Sequence, residues 1–338
     1  MQNFFDNSVG IPVVDVAPFF DGDAFQQRIV ADQLAIACEK VGFFCIVGHQ
    51  VDEKLIARTR QAGVDFFASD KQNKYSVLRN SDRTGCGYYP LADRSLAKTL
   101  GVDTPPDLQE AWVMTPENVP DEPYYKGELG RYFFSKNKWP VEPIGFRETA
   151  IQYFEEMSLL GAKMMEALAL ALDIKKDYFA DKVDKATNQF RIIHYPAQDS
   201  LPRENQLRAG AHTDYGALTL LRSDDVPGTL QVKIPGGDWT DVRPPSKAFV
   251  CNIGDALSRW TGGKWASTLH RVGNPGIEQA PEEVLRKGRI SLVFFHQPNY
   301  DVVLTGIGKI NDVNSPITMG EHHIQKIHAA VDSTPAAD

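Results

Sequence analysis

The spacing of apolar residues changes character near residue 184, and that change divides the chain. Before it, two short apolar runs, 11–16 and 42–47, read as strands, with Pro12 at the start or edge of the first. Between and after them lie stretches of helical spacing. Residues 24–40 place Phe25, Ile29, Leu34 and Ala37 about one turn apart, and 55–67 repeat the pattern up to a break or cap at Ser69-Asp70. The clearest helix is predicted over 151–172, where Phe154, Met157, Leu160, Met164, Leu168 and Leu172 recur three and four residues apart. Its methionines read as core packing rather than a cofactor face. Residues 84–143, rich in Gly, Pro, Asp and Tyr, read as long loops with short elements, suited to wall or cover a site.

After residue 184 the runs become short and β-like: 190–195, 217–222, 230–234, 248–253, 268–272 and 290–296. Turn residues separate them, among them Pro227-Gly228, Pro235-Gly236-Gly237 and Asn274-Pro275-Gly276. Many short strands in succession predict a sandwich, jelly roll or barrel. A closing helix is expected over 318–330 and a frayed tail over 332–338. The fold class is therefore mainly β with flanking helices, an α+β arrangement. It divides into a helical N-terminal region (1–183), a β core (184–300) and a C-terminal extension (301–338).

Composition narrows the function. At 42% hydrophobic and 24% charged, the chain is an ordinary globular sequence, not a disordered or fibrous one. Its 36 Lys and Arg against 44 Asp and Glu give a formal charge of −8, with no global field for nucleic acid or anionic lipid. Small-molecule work fits better, by a monomer or a homo-oligomer. Cys38, Cys45, Cys86 and Cys251 are far apart, which argues against a disulfide framework or a thiolate zinc site. The opening residues lack the parts of a signal peptide, and no run of about 18 apolar residues occurs. A soluble protein of the reducing cytoplasm is expected.

The sharpest chemical feature is His212-Thr213-Asp214, followed later by His270. On a strand, residues two apart share a face, with backbones about 6–7 Å apart. A second strand carrying His270 would add a third ligand. Two imidazoles and one carboxylate leave half of an octahedral metal open, the arrangement of non-haem Fe(II) sites. Alone, His-x-Asp is far more often a turn or a surface pair than a metal site, and zinc suits the same ligands, although no His-Glu-x-x-His helix is present. Arg289 and Ser291 share a strand face, and together could grip a carboxylate. A structural salt bridge is the plainer reading of Arg289. Tyr195 offers another hydroxyl, or a core ring. Tyr88 and Trp112 in the loop region, Arg191 and Asn252 on candidate strands, and Phe295 are candidates for the substrate wall. His322, His323 and His328 read as a solvated helix face.

Taken in order, these motifs resemble the isopenicillin N synthase-like Fe(II)/2-oxoglutarate-dependent oxygenases, thymine 7-hydroxylase and bacterial members nearest. The resemblance runs through Ile11-Pro12-Val13-Val14-Asp15, Gly42-Phe43-Phe44 to Gly48-His49, Gly210 to Gly216, Asn252-Ile253-Gly254-Asp255, Arg259-Trp260-Thr261, Ser267 to Val272, Arg289-Ile290-Ser291 and Ile317 to His322. Gln50 stands where the family usually has Gly, and Ile193 where plant members have Asn. The resemblance implies a double-stranded β-helix core behind a non-haem dioxygenase N-terminal region. It implies Fe(II) on His212, Asp214 and His270, and the far carboxylate of 2-oxoglutarate on Arg289 and Ser291 with Tyr195 assisting. The activity implied is coupling of 2-oxoglutarate decarboxylation, using O2 and giving succinate and CO2, to hydroxylation, desaturation or cyclisation of a small molecule. A same-fold oxidase that does not use 2-oxoglutarate and a non-enzymatic jelly-roll binding protein are the alternatives.

Overall fold

The structure is a computed structural model that describes residues 10–80, 85–197, 202–226, 229–274, 288–307 and 316–331. The opening residues, the turns at Pro227-Gly228 and Pro275-Gly276, and the tail 332–338 lie outside the described residues.

Twelve strands are described: β1 Val13–Asp15, β2 Phe43–Val47, β3 Gly87–Tyr89, β4 Glu110–Met114, β5 Gln189–Tyr195, β6 Ala209–His212, β7 Leu218–Ser223, β8 Leu230–Lys233, β9 Trp239–Asp241, β10 Phe249–Ile253, β11 His270–Val272 and β12 Arg289–His296. They form an eight-stranded sheet, β1-β2-β10-β7-β12-β5-β4-β3, and a four-stranded sheet, β6-β11-β8-β9. From β5 to β12 the chain winds back and forth between the two sheets, which is the double-stranded β-helix, a distorted jelly roll. The N-terminal half lends β1 and β2 to one edge of the large sheet and β3 and β4 to the other.

Alternation along the strands sorts side chains into two environments. In β12, Ile290, Leu292 and Phe294 face outward into the larger apolar core, whereas Arg289, Ser291, Val293 and Phe295 face the space between the sheets. The outward face is covered by three helices, Ala24–Lys40, Glu53–Ala68 and Phe146–Ala171, whose Leu34, Phe66, Met157 and Met164 join that core. Asp23 starts the first helix with a capping box to Gln26, and Asp70 caps the short helix Lys71–Ser76 after the break at Ser69.

Two expectations change. In helix Ala24–Lys40 the buried face is Val30, Ala31, Leu34, Ala37 and Cys38, while Phe25 is 73% exposed and Ile29 42%. Leu34 and Ala37 are buried as their spacing leads one to expect, but apolar residues occur on several sides of that helix, and the stripe continues through Val30, Ala31 and Cys38 rather than Phe25 and Ile29. The stretch 84–143 holds short elements among its loops, as expected, but its strands β3 and β4 join the large sheet. This removes Trp112 and Tyr88 from the substrate wall. Trp112 is fully buried against Trp139 and Phe146 on the outward face of β4, and the Tyr88 hydroxyl donates to Glu110. Gln50, in the family's usual glycine position, has φ 62°, a left-handed conformation that glycine adopts at no steric cost.

Two helical glycines set how closely the helices lie on the sheet. A Cβ on Gly63 would come within 2.6 Å of Ile192, and one on Gly161 within 2.7 Å of His296. In Gly63→Ala, overpacking of about 1–3 kcal/mol outweighs the helix-propensity gain of about 1 kcal/mol. Its urea midpoint should fall; a rise would show that Ile192 yields freely. His296 itself is buried with both ring nitrogens unpartnered, and burial pulls its imidazole down to about 4. Between pH 6.5 and that value the unfolded chain takes a proton that the folded chain refuses, so stability falls with falling pH. The loss is on the order of 3 kcal/mol across the window. His296→Leu should flatten that limb of the stability–pH curve by a similar amount; an unchanged slope refutes the assignment.

Candidate active site

β6 ends at His212, so Thr213 and Asp214 lie just beyond the paired part of the strand. The side chains of His212 and Asp214 nevertheless come to one side, as their two-residue spacing leads one to expect. The Asp255 N–H donates to the Asp214 carbonyl at 2.7 Å and helps hold this segment. His270 opens β11 and pairs directly across from His212 in the antiparallel ladder. The result brings the three side chains together. Asp214 Oδ1 is 3.8 Å from His212 Nε2 and 3.7 Å from His270 Nε2, and one donor atom from each residue lies within 4.8 Å of the others.

Backbone carbonyls orient both rings. His212 Nδ1 lies 2.7 Å from the Gly210 carbonyl and His270 Nδ1 lies 3.1 Å from that of Thr268. A carbonyl oxygen only accepts, so each Nδ1 carries the proton and each Nε2 keeps its lone pair. On Asp214, Oδ2 accepts from Thr219 Oγ1 at 2.6 Å and Asn252 Nδ2 at 2.7 Å, which leaves Oδ1 facing the histidines. Burial, and then His270, hold the His212 imidazole well below its ordinary value. Burial pushes the Asp214 carboxyl up, but His270, His212, Asn252 and Thr219 more than offset this and keep it below the usual carboxylate range. Two neutral imidazoles and one carboxylate are the donor set that a divalent metal needs.

The triad opens on a cavity between the sheets. Arg289, Ser291 and Tyr195 line it as well. Arg289 donates through Nη2 to Ser223 Oγ at 3.0 Å, but its Nε and Nη1 have no partner, and neither does Ser291 Oγ. The guanidinium carbon sits 5.3 Å from the Tyr195 ring centroid. Burial lowers the Arg289 pKa, as expected for a cation without a counter-ion beside it. Orphaned donors of this kind, buried in one place, fit a carboxylate.

Arg191 and Phe295 also face the cavity. Asn252 lines it too, but its amide is committed to Asp214, so the expectation of substrate contact gives way to a positioning role. Several lining residues escape a reading of the sequence. Thr219 alternates with the apolar Leu218 and Leu220, a pattern that could have shown it facing inward. Arg94 and Gln109 come from irregular chain and Leu96 opens the short 3-10 helix Leu96–Leu100, none of them with a periodic signal. Buried Asp107 ties that segment to the metal strand, accepting from Leu96 N–H and Gly210 N–H at 2.9 Å each. His322 and His323 are buried, not solvated, and His323 lines the cavity. No helix among the described residues is long and apolar enough to cross a membrane.

A jelly roll holding two histidines and a carboxylate beside an unpaired Arg–Ser grip has the features of a mononuclear non-haem oxygenase. Comparison with known proteins gives the family. Residues 186–298 match the 2OG-Fe(II) oxygenase superfamily, and residues 11–142 match the N-terminal region described as "non-haem dioxygenase in morphine synthesis". The chain is 32% identical to the 2-oxoglutarate-Fe(II) type oxidoreductase hxnY of Emericella nidulans, over 86% of this chain and 80% of that protein. It is 32% identical to a homoarginine-6-hydroxylase of Arabidopsis thaliana, over 87% and 86%. Full-length thymine 7-hydroxylase of Neurospora crassa, in complex with alpha-KG and 5-formyluracil, superposes with a TM-score of 0.81 at 27% identity, covering 97% of this chain and 99% of that one. The chain belongs to the 2OG-Fe(II) oxygenase superfamily. It is a non-haem oxygenase that uses Fe(II), 2-oxoglutarate and O2.

Asn252 generates a prediction. Asn252→Leu should weaken Fe(II) binding by about 10- to 100-fold, because Asp214 loses the hydrogen bond that aims it. Anaerobic Fe(II) titration measures this, and an unchanged affinity would deny Asn252 its positioning role.

Proposed function

We propose that His212, Asp214 and His270 hold the Fe(II), and that Arg289 and Ser291, assisted by Tyr195, hold the far carboxylate of 2-oxoglutarate. Arg191 and Phe295 then face the primary substrate. The observation that carries this reading is the set of unpartnered donors on Arg289 and Ser291, buried in the same cavity as the triad. The three donor atoms suit the metal, and the guanidinium suits a bidentate grip on a carboxylate. When bound, Fe(II) supplies the activation of dioxygen that couples decarboxylation of 2-oxoglutarate, to succinate and CO2, with hydroxylation of a small molecule.

The chain's own residues do the positioning. The Gly210 and Thr268 carbonyls fix the two imidazoles, and Asn252 and Thr219 fix the carboxylate. Arg289 sets the direction from which the co-substrate reaches the triad. Phe43, Leu221, Val293 and Phe295 line the space with apolar surface that excludes water from it. The protein works in the reducing cytoplasm in this reading, which suits its four free, buried cysteines.

Two measurements test the assignment. Asp214→Ala should abolish Fe(II) binding in an anaerobic titration, since it removes the only anionic ligand; retained binding refutes the triad. Arg289→Ala should bind Fe(II) normally but need at least about 30-fold more 2-oxoglutarate for half-maximal succinate release. That figure corresponds to the low end of the roughly 2–5 kcal/mol lost when one side of a charge-assisted pair is removed. An unchanged half-saturation would move the clamp elsewhere.

A further inference from the structure

Two cations on the cavity wall form no ion pair among the described residues. Arg191 projects inward from β5, with Nε donating to Gln189 Oε1 at 2.7 Å and its guanidinium carbon 5.3 Å from the Phe295 ring centroid. Arg94 lies between β3 and β4, its guanidinium carbon 5.5 Å from the centroid of Tyr89. Both line the large cavity and also a smaller one that shares this part of its wall. Neither has a carboxylate partner among the described residues. Asp93, which lines the smaller cavity, is already held by two hydrogen bonds from Arg79. Asp214 is committed to Asn252, Thr219 and the two histidines.

Charge balance gives this meaning. Taking the proposed function as given, the two positive charges of Fe(II) cancel the two negative charges of 2-oxoglutarate, and the carboxylates Asp214 and Asp107 offset two of the four guanidiniums of Arg289, Arg208, Arg94 and Arg191. Two positive charges remain, and Arg94 and Arg191 face the cavity without an ion pair among the described residues. A guanidinium withdrawn from water without a partner is costly, and burial followed by the like charge of Arg94 pulls the Arg191 pKa down to about 10. Nothing else in Arg191's position calls for a charge, since its neighbours on the inner face of the sheet include Ile193, Val293 and Phe295.

We propose that the primary substrate carries an oxyanion, a carboxylate or a phosphate, which Arg191 and Arg94 hold jointly while a flat or apolar body lies against Phe295. The two guanidiniums provide the planar donor geometry that such a group accepts. Recognition of this kind favours an anion over its neutral amide, because the amide leaves a buried cation unpaired.

The test uses the full chain loaded anaerobically with Fe(II) and saturating 2-oxoglutarate. The visible charge-transfer band of that complex reports on the iron and co-substrate assignment by itself. Phenylacetate, phenyl phosphate and phenylacetamide are then titrated by calorimetry. At least one oxyanion should bind about ten-fold or more tighter than the amide, and the better of the two identifies the group. Arg191→Gln and Arg94→Gln should each lose that preference with the band still present, and Arg191→Lys should restore part of it. Equal affinity for amide and oxyanions overturns the proposal. So does a preference intact in both Gln variants, or no saturable oxyanion binding up to about 10 mM. If Arg191→Gln fails to fold, Arg94→Gln decides. Absence of the band in the unmodified protein would refute the iron and 2-oxoglutarate reading instead, independently of the titrations.

Discussion

Two backbone carbonyls decide what this site can bind. Those of Gly210 and Thr268 each take the Nδ1 proton of a histidine two residues further on, so both Nε2 lone pairs turn toward Asp214. Gly210 lies in β6, which pairs antiparallel with β11 so that His212 sits opposite His270. Asp214, just past the end of β6, is aimed by Asn252 on β10 and Thr219 on β7. The triad thus draws on both sheets, β6 and β11 from one and β7 and β10 from the other. Slipping any of these strands by one residue would turn its inward side chain outward and dismantle the set.

The same alternation separates stability from chemistry. The outward face of the large sheet and its three covering helices form one continuous apolar core. The inward face carries Arg191, Arg289 and Ser291, with donors on Arg289 and Ser291 left unpaired. Each buried unpaired donor costs about 1–3 kcal/mol, more for charged groups. A fold can tolerate such groups where its core lies elsewhere, and a ligand that pairs them recovers the cost as affinity. The unpaired donors therefore mark where binding energy is stored.

This division explains how much is legible in the sequence. Arg289 and Ser291, Arg191, Tyr195 and Phe295 sit on strands whose two-residue period assigns them inward, and they line the cavity. Phe294, one residue away, faces the helices. For Asn252 the sequence points to the correct face but the wrong partner, because period fixes direction and says nothing about which neighbour lies there. Trp112 and Tyr88 read as site residues because Gly and Pro around them disguise β3 and β4 as loop. The histidines of the last helix read as solvated because the chain carries no local sign that this helix docks over the cavity. His323 reaches Gln297 Oε1 at 3.1 Å only through that tertiary contact.

The two ends of the cavity accordingly have different origins. The end that holds the triad and Arg289 is built from strands, where register fixes each inward side chain to within a residue. The other end adds Arg94 from an irregular segment and His323 from the last helix to Arg191. Asp107 is the link between the two, because one oxygen takes Leu96 N–H from the irregular segment and the other takes Gly210 N–H from the metal strand. Burial raises its carboxyl to about 6, so near neutral pH the carboxylate persists largely through those backbone donors. A wall anchored at Asp107, with Leu108 N–H donating to the Leu207 carbonyl and Gln206 to the Pro106 carbonyl beside it, can change its exposed side chains without moving the histidines. That arrangement lets irregular chain set the substrate while the strands keep the reaction.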